Sequence, residues 1–418
     1  MHKQYFLVDK CSSLKGSIKV STSKNAVLPI LAASLLTDQM VILEDMPYLS
    51  DVNAMCVILK SLGTDVRQYL NKLILTTNKL SKWEVPSNLT NKLRASSLIM
   101  GPMLSRTGFC KIANPGGCDI GQRPIDIHLF AFKALGADII YGKDFIQLSA
   151  NKLRGCEIQF PFPSVGATEN TVMAAALAKG ITIIKNAATE PEIVDLCTFL
   201  NSMGACIKGA GSKTIIIKGV QKLYATQYKP IPDRIEAGTY MLAAALTGGD
   251  IKLYNVKCEH LLSFEQVLCQ AGAKIIYFKN GVRIIGPKQL NPVNIIARPY
   301  PGYPTDLQAQ AAVLASVAKG ESLIKETVFD NRFNYTKELS KMGAQINVDN
   351  PNAYIKGVNE LYCANLCATD LRGGAAMVLA GLKAQGTTII DNIEYIDRGY
   401  EHIEKKLTML GANIKRIQ

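Results

Sequence analysis

The hydrophobic and polar positions of the chain repeat one pattern six times. In each copy a helix-like segment such as EIVDLCTFLNSM (residues 192–203) ends near a glycine, and a β-rich run such as TIIIKGV (residues 214–220) follows. The glycines of this marker lie 68 to 73 residues apart and are Gly63, Gly136, Gly204, Gly272, Gly343 and Gly411. Because glycine readily adopts the left-handed conformation that ends many helices, the pattern predicts a helix, a glycine turn and a strand at each copy.

A second glycine marker lies half a repeat before the helix. It reads LAKGITII from Leu177, LTGGDIKLYN from Leu246, VAKGESLI from Val317 and LKAQGTTII from Leu382. In each case an alanine-rich, helix-like segment stops at glycine and a run rich in β-branched residues begins. Each repeat of about 70 residues is therefore expected to contain two helices and several strands.

Six repeats divide naturally into three plus three. The midpoint falls at YKPIPDR (residues 228–234), where Pro230 and Pro232 interrupt regular structure. A chain of 418 residues also suits two domains better than one. The sequence therefore predicts two compact α/β domains with a cleft between them.

The net charge of +13 favours anionic ligands of some kind. Nucleic acid is one candidate, but the chain has no basic tract and no aromatic-basic signature of RNA binding. Phosphorylated small molecules explain the charge equally well, and a lysine-rich solvated surface explains it without any ligand.

The composition is that of a globular protein, with 48% hydrophobic and 19% charged residues. The sequence contains neither the apolar stretch of a signal peptide near its start nor a window apolar enough to span a membrane, which favours a cytoplasmic location. Its 11 cysteines are scattered and form no metal-binding pattern, so most of them are expected to be reduced thiols of the core.

One cysteine differs from the others in its surroundings. Cys118 follows Gly116 and Gly117 and precedes Arg123 and Pro124 in the stretch PGGCDIGQRPIDIHL. Paired glycines favour an exposed loop, where a buried-thiol role fits poorly. A thiol near a cation can act as a proton donor or, once deprotonated, as a nucleophile.

Nine segments together resemble the UDP-N-acetylglucosamine 1-carboxyvinyltransferase family of enolpyruvyl transferases. They are SKNAVLPILAASLL, PGGCDIGQRPIDIHL, FPSVGATEN, EPEIVDL, IPDRIEAGTY, YPTDLQAQ, ETVFDNRF, ATDLRGG and IDRGYEHIEKKL. They occur in the family's order from about Ser13 to Arg416. Two positions depart from the family: Thr22 stands where glycine is usual, and Phe162 stands where some members have lysine.

The resemblance implies an α/β fold of two domains, an inside-out α/β barrel built from six βαβαββ repeats. The expected boundaries are residues 1–22 plus 231–418 for the first domain and residues 23–230 for the second. The implied reaction transfers the enolpyruvyl group of phosphoenolpyruvate to the 3-hydroxyl of UDP-N-acetylglucosamine and releases phosphate, the first committed step of peptidoglycan synthesis. No metal, organic cofactor or nucleic-acid partner is implied, and a monomer is expected.

Phosphoenolpyruvate carries a phosphate and a carboxylate on three carbons, so its site needs several fixed cations. The cations that the resemblance brings to the site are Lys24, Arg94, Arg123, Arg332, Arg372 and Arg398. It assigns catalytic roles to Lys24, Cys118, Asp306 and Arg398, with Asn25 also contacting phosphoenolpyruvate. The contacts implied for the nucleotide sugar are Arg94, Arg123, Pro124, Ile125, Asp126, Ile127, Ser164, Val165, Gly166 and Val328.

Three alternatives stay open at this level. Asp306, implied to be the base that orients the sugar and takes its proton, could instead cap the helix of DLQAQAAVLASVA, and the local sequence favours the cap. The acceptor could be another molecule, such as shikimate 3-phosphate, although the cysteine loop argues against it. The net charge also leaves room for a non-enzymatic, RNA-related protein built on the same repeats.

Overall fold

The computed structural model describes residues 4–80, 82–90, 93–113 and 125–418, apart from the side chains of Asn88 and Arg94. The described residues divide into two compact units. Unit 1 consists of residues 4–21 and 232–418, and unit 2 consists of residues 22–113 and 125–231, with the gaps given above.

Within these residues the chain forms 24 strands. They are β1 (Tyr5–Asp9), β2 (Lys15–Lys19), β3 (Val41–Leu43), β4 (Asp65–Tyr69), β5 (Lys72–Thr76), β6 (Glu84–Val85), β7 (Phe109–Ala113), β8 (Asp138–Tyr141), β9 (Phe145–Ser149), β10 (Glu157–Gln159), β11 (Ile181–Lys185), β12 (Cys206–Lys208), β13 (Thr214–Lys218), β14 (Thr226–Tyr228), β15 (Asp250–Tyr254), β16 (Lys274–Phe278), β17 (Gly281–Ile285), β18 (Asn294–Ala297), β19 (Glu321–Glu326), β20 (Gln345–Asp349), β21 (Asn352–Lys356), β22 (Asn365–Cys367), β23 (Thr387–Asp391) and β24 (Ile414–Ile417).

The same residues form 13 α-helices. They are α1 (Lys24–Ala33), α2 (Ser50–Leu62), α3 (Ser87–Thr90), α4 (Met100–Thr107), α5 (Asp126–Ala134), α6 (Val165–Ala175), α7 (Pro191–Ser202), α8 (Arg234–Thr247), α9 (Leu262–Gln270), α10 (Gln308–Ser316), α11 (Thr336–Lys341), α12 (Leu371–Lys383) and α13 (Ile403–Met409). Short 3-10 helices occupy Ser34–Leu36, Arg94–Ile99, Cys258–His260, Thr305–Leu307 and Ile393–Arg398.

The strands form six four-stranded sheets with one common arrangement, three in each unit. Each sheet starts with a parallel pair, to which two further strands add antiparallel, as in the order β10-β11-β13-β12. A buried helix crosses between the two parallel strands, as α6 does between β10 and β11, and a second helix leads to the antiparallel hairpin. This is the βαβαββ repeat, and its six copies confirm the predicted fold class.

The glycine marker is confirmed at all six positions. The glycines that follow α2, α5, α7, α9, α11 and α13 have positive φ angles between 91° and 108°, and a strand begins two or three residues later. A side chain with a Cβ rarely adopts this conformation, so glycine marks the end of each of these helices.

Two sheets are completed by strands distant in the sequence. In unit 1, β1 lies between β23 and β24, so that Phe6 pairs with Ile390 on one side and with Arg416 on the other. The strand β2 pairs in parallel with β15, while in unit 2 β14 pairs in parallel with β3. The chain therefore leaves unit 1 after β2, builds unit 2, and returns to complete the sheet that β2 begins.

Each unit has its own hydrophobic core around helices that are buried along almost their whole length. In unit 1 these helices are α8, α10 and α12, which pack against one another. In unit 2, α1 and α6 are buried in the same way, and α4 is buried from Met100 to Leu104. The sheets surround these helices. Loops at the helix N-termini carry the polar residues considered next. Among the described residues, no helix is long and apolar enough to cross a membrane.

Candidate active site

Asp306 of unit 1 is held by two arginines. Its Oδ1 accepts a hydrogen bond of 2.6 Å from Arg332 Nη2, and its Oδ2 accepts one of 2.8 Å from Arg372 Nη2. The two arginine side chains are only 7% and 5% exposed, whereas the Asp306 side chain is 25% exposed. The cations are thus fixed inside the protein, while part of the carboxylate remains accessible to a ligand.

The position of Asp306 contradicts the capping interpretation. The 3-10 helix Thr305–Leu307 has Pro304 at its N-cap and α10 has Leu307, and neither helix has a side-chain hydrogen bond at its cap. The local sequence was misleading because two arginines, distant along the chain, bind the carboxylate that would have capped the helix.

Arg372 is buried at the start of α12, where the helix N-cap positions it. The Asp370 carboxylate accepts hydrogen bonds from the backbone N–H groups of Arg372 (2.8 Å) and Gly373 (3.0 Å). The Arg372 guanidinium lies 5.5 Å from the centre of the Tyr400 ring. Burial is the largest influence on the pKa of Arg372 and lowers it, but Asp306, Tyr400 and Asp233 together outweigh burial, so this pKa is raised. Arg372 is therefore a permanent cation in a fixed place.

Arg398 ends the 3-10 helix Ile393–Arg398, which packs against α12. The residue before it, Asp397, accepts hydrogen bonds of 2.9 and 2.6 Å from the two Nη atoms of Arg416 on β24. Such a paired contact between guanidinium and carboxylate restrains both groups. The backbone that carries Arg398 is thereby attached to the terminal strand.

Lys24 and Asn25 open the buried helix α1 of unit 2. The Lys24 ammonium lies 3.3 Å from Asp51 Oδ2 on α2, and the two side chains are 11% and 7% exposed. Thr22, the residue that departs from the family, donates a hydrogen bond of 2.6 Å from its hydroxyl to the carbonyl of Asp45. The threonine therefore attaches the segment before Lys24 to a neighbouring turn.

Two further groups of predicted residues meet at helix starts in unit 2. Ile125 precedes α5, Asp126 and Ile127 begin it, and Ser164 is the N-cap of α6, with Val165 and Gly166 in its first turn. The helices α5 and α6 pack against each other. First-turn N–H groups have no partner within their own helix, so the start of α6 suits an anion.

The start of α6 is bordered by His128, a residue that sequence reasoning did not select. Asn170 Oδ1 accepts from Gly101 N (2.8 Å), which leaves its Nδ2 to donate to Ser97 O (3.0 Å) and to His128 Nδ1 (2.8 Å). The neutral imidazole therefore carries its proton on Nε2. A Cβ at Gly166 would lie 3.2 Å from this Nε2, so glycine keeps the helix start open beside the ring.

The described residues thus bring Asp306, Arg332 and Arg372 together in unit 1, and the starts of α5 and α6 together in unit 2. Cys118, Arg123 and Pro124 lie outside the described residues, as does the Arg94 side chain. Within the described part of the chain, no three His, Cys, Asp or Glu side chains are grouped as metal ligands. What the cluster in unit 1 offers is two fixed cations and one partly exposed carboxylate.

The sequence reasoning also passed over Glu326, which lies at the end of β19 beside the Asp306 cluster. One of its carboxylate oxygens binds the Thr305 hydroxyl and the other binds the backbone of Val328. The available signal was an acidic residue closing the strand-like run SLIKE, one residue before VFDNRF. That signal is weak because acidic residues at strand ends are common.

Comparison with known proteins first defines a class. Residues 8–407 match the family described as EPSP synthase (3-phosphoshikimate 1-carboxyvinyltransferase). The enolpyruvyl transferase NikO from Streptomyces tendae superposes with a TM-score of 0.90 at 22% identity, covering 99% of both chains. The EPSP synthase from Acinetobacter baumannii superposes with a TM-score of 0.78 at 17% identity and full coverage. At these identities the structures establish the fold.

The sequence comparison then narrows the class. A UDP-N-acetylglucosamine 1-carboxyvinyltransferase 1 from Caldanaerobacter subterraneus is 51% identical over 99% of this chain and 100% of its own length. A UDP-N-acetylglucosamine 1-carboxyvinyltransferase 2 from Clostridium tetani is 50% identical over 98% of this chain and 99% of its own. The chain belongs to the UDP-N-acetylglucosamine 1-carboxyvinyltransferase family of enolpyruvyl transferases.

Proposed function

We propose that this chain transfers the enolpyruvyl group of phosphoenolpyruvate to the 3-hydroxyl of UDP-N-acetylglucosamine and releases phosphate. The observation that carries the proposal is full-length identity of about half to relatives that bear this enzyme's name. The product enters peptidoglycan synthesis. The substrates are small molecules, and we place the enzyme in the cytoplasm as a monomer.

The cations of the site have a clear task in this reaction. Phosphoenolpyruvate is a compact anion, and cations held by burial stabilise such charge without reorganising during the reaction. Lys24, fixed by Asp51, and Asn25 are proposed to bind the phosphate together with Arg123 and Arg398. Arg332 and Arg372 hold Asp306 and supply charge to the anionic groups of the addition intermediate.

Asp306 is proposed to act as the base. The sugar hydroxyl attacks C2 of phosphoenolpyruvate and gives its proton to the carboxylate, while C3 gains a proton from the Cys118 thiol. C3 then loses a proton as the C2–O bond to phosphate breaks. Two buried arginines fix the Asp306 carboxylate, and the exposure of its side chain allows a hydroxyl to approach.

The starts of α5 and α6 are proposed to hold the nucleotide. The first turn of α6, with Ser164, Val165 and Gly166, suits the diphosphate because helix N-termini attract anions. Ile125, Asp126 and Ile127 of the neighbouring helix start, with Arg94, Arg123 and Pro124, complete the proposed nucleotide contacts. Val328 is assigned to the sugar or the uracil.

Phosphate release from purified protein tests the reaction. Release is expected only when phosphoenolpyruvate and UDP-N-acetylglucosamine are both present, and omission of either substrate is the control. A parallel assay replaces the nucleotide sugar with shikimate 3-phosphate, because the matching family description names that chemistry. Phosphate release with shikimate 3-phosphate as the acceptor, and none with UDP-N-acetylglucosamine, would overturn the proposed acceptor. Salt-sensitive RNA binding with no phosphate release would overturn the enzymatic proposal.

The role of Cys118 has its own test. Cys118→Ala removes the proton donor and is expected to lower kcat strongly, whereas Cys118→Asp keeps an acid at that position and should retain activity. The Asp variant has no thiol at position 118, so the epoxide fosfomycin should no longer attach covalently there. Mass spectrometry after incubation measures the adduct. Undiminished labelling of the Asp variant would contradict the assignment of Cys118.

A further inference from the structure

The direction of the hydrogen bonds at the Thr305 hydroxyl is fixed by its two partners. Thr305 Oγ1 lies 2.9 Å from Arg332 Nη1 and 2.6 Å from Glu326 Oε2. A guanidinium can only donate and a carboxylate can only accept. The hydroxyl must therefore accept from Arg332 and donate to Glu326, so the Glu326 charge sets the orientation that Arg332 requires.

Glu326 is deeply buried, with only 2% of its surface exposed. Its second oxygen, Oε1, accepts hydrogen bonds from the backbone N–H groups of Val328 (2.7 Å) and Phe329 (3.3 Å). A buried carboxylate is costly unless its oxygens are hydrogen-bonded, and here both oxygens have donors. Glu326 consequently restrains two separate segments, the Thr305 turn and the Val328 backbone.

Both segments carry residues assigned to the reaction. Through Thr305, Glu326 orients Arg332, whose other nitrogen, Nη2, donates 2.6 Å to Asp306 Oδ1. Through Oε1 it holds the backbone at Val328, a residue assigned to the nucleotide sugar. One buried carboxylate thus restrains both the arginine that holds the base and the backbone at the sugar contact.

We propose that Glu326 is a positioning residue that aligns Asp306 with the acceptor sugar, through Thr305 and Arg332 on one side and the Val328 backbone on the other. This inference rests on the proposed function, because it takes Asp306 as the base and Val328 as a sugar contact. Glu326 acts through other residues and is not assigned a contact with the substrate.

Two variants separate the two branches of contacts from Glu326, one through Thr305 and Arg332 and the other through the Val328 backbone. Glu326→Gln cannot accept at both ends of its side chain, so both branches are disturbed, and kcat is expected to fall about tenfold while KM for UDP-N-acetylglucosamine rises. Thr305→Val removes only the hydroxyl, so kcat should fall by a similar factor with KM for the sugar nucleotide little changed. The double variant should be no slower than Glu326→Gln, because both changes break the same chain of hydrogen bonds.

Conservative and matched variants supply the controls. Thr305→Ser restores a hydroxyl and is expected to recover most of the kcat that Thr305→Val loses. Glu321→Gln alters an exposed carboxylate at the other end of β19 and should behave as the unaltered protein does. Thermal unfolding of every variant detects general damage to the fold, which would lower stability without separating kcat from KM.

The outcomes distinguish the two proposals. Absence of phosphate release by the unaltered protein would refute the proposed function. With the unaltered protein active, normal kinetics for Glu326→Gln or Thr305→Val would overturn the positioning role, as would a serine variant as slow as the valine variant. If Glu326→Gln does not fold, the comparison of the Thr305 variants decides, since neither removes the carboxylate.

Discussion

Buried ionisable side chains have neighbours of opposite charge at one position in unit 1 and neighbours of like charge at one position in unit 2. In unit 1, Arg372 and Arg332 face the Asp306 carboxylate. In unit 2, Glu169 lies buried in α6, where burial raises its pKa well above the usual value and the nearby Glu192 and Glu190 charges raise it further. Glu169 is therefore a buried acid whose protonated form the fold favours.

Glu169 makes stability depend on pH in a definite direction. Because its pKa is raised, the folded protein keeps a proton that the unfolded chain releases above the ordinary carboxyl pKa of about 4.3. Its contribution to the free energy of unfolding therefore falls as the pH rises from that value toward the raised pKa. Glu169→Gln mimics the protonated form, so the variant should gain stability relative to the unaltered protein as the pH rises above about 4.3.

Urea unfolding at several pH values measures this difference. Glu157→Gln is the matched control, because Glu157 is exposed and its ion pair with Lys185 lies at the surface. A difference between the Glu169 variant and the unaltered protein that stays constant with pH would show that the carboxyl is already ionised in the fold.

Single residues also mark where sequence-based prediction stopped. The cluster of Asp306, Arg332 and Arg372 was implied by family resemblance, but local sequence alone favoured a cap for Asp306 and gave only a weak signal for Glu326. Both failures have one cause: the partners lie 20 or more residues away, as with Thr305 and Glu326. Local patterns report on nearby backbone, and long-range ion pairs can override them.

At the scale of secondary-structure elements, the sequence was most informative about where helices end. The glycine that ends a helix with positive φ is a local requirement, and so all six repeat markers were predictable from the sequence. The starts of the buried helices were harder to interpret from the sequence, because Ser164 and Asp370 cap their helices while adjoining assigned site residues. A cap and a site can therefore share one turn.

The N-cap of α12 links helix stability to the site. Asp370→Ala removes the acceptor for the N–H groups of Arg372 and Gly373 and should lower the free energy of unfolding by about 1 kcal/mol. Because the same turn positions Arg372 against Asp306, kcat should fall as well. Asp370→Ser, another good cap, should recover both quantities, as measured by urea unfolding and phosphate release. Recovery of stability without recovery of kcat would separate the cap from the site.

On the scale of the whole molecule, the two units differ in how their sheets are completed. All strands of unit 2 lie between Thr22 and Ile231, whereas unit 1 needs β1 and β2 from the start of the chain together with strands β15 to β24. Unit 2 is thus continuous in sequence and unit 1 is not.

This difference predicts the behaviour of fragments. A fragment of residues 22–231 contains three complete sheets and their core, so it should fold alone, with cooperative urea unfolding followed by circular dichroism. A fragment of residues 232–418 lacks β1 and β2 and should fold only when a peptide of residues 1–21 is added. Cooperative folding of the second fragment without the peptide would contradict the role given to these strands.

The position of β1 in the sequence also determines how long this strand waits for its partner strands during synthesis. Its neighbours β23 and β24 begin only at Thr387 and Ile414, so at a synthesis rate of about 5–20 residues per second the strand waits on the order of 20–80 s for them. Meanwhile unit 2 can finish on the ribosome. The segment YFLVD therefore waits longer for its partners than any other strand of the described chain, which favours its binding by a chaperone during synthesis.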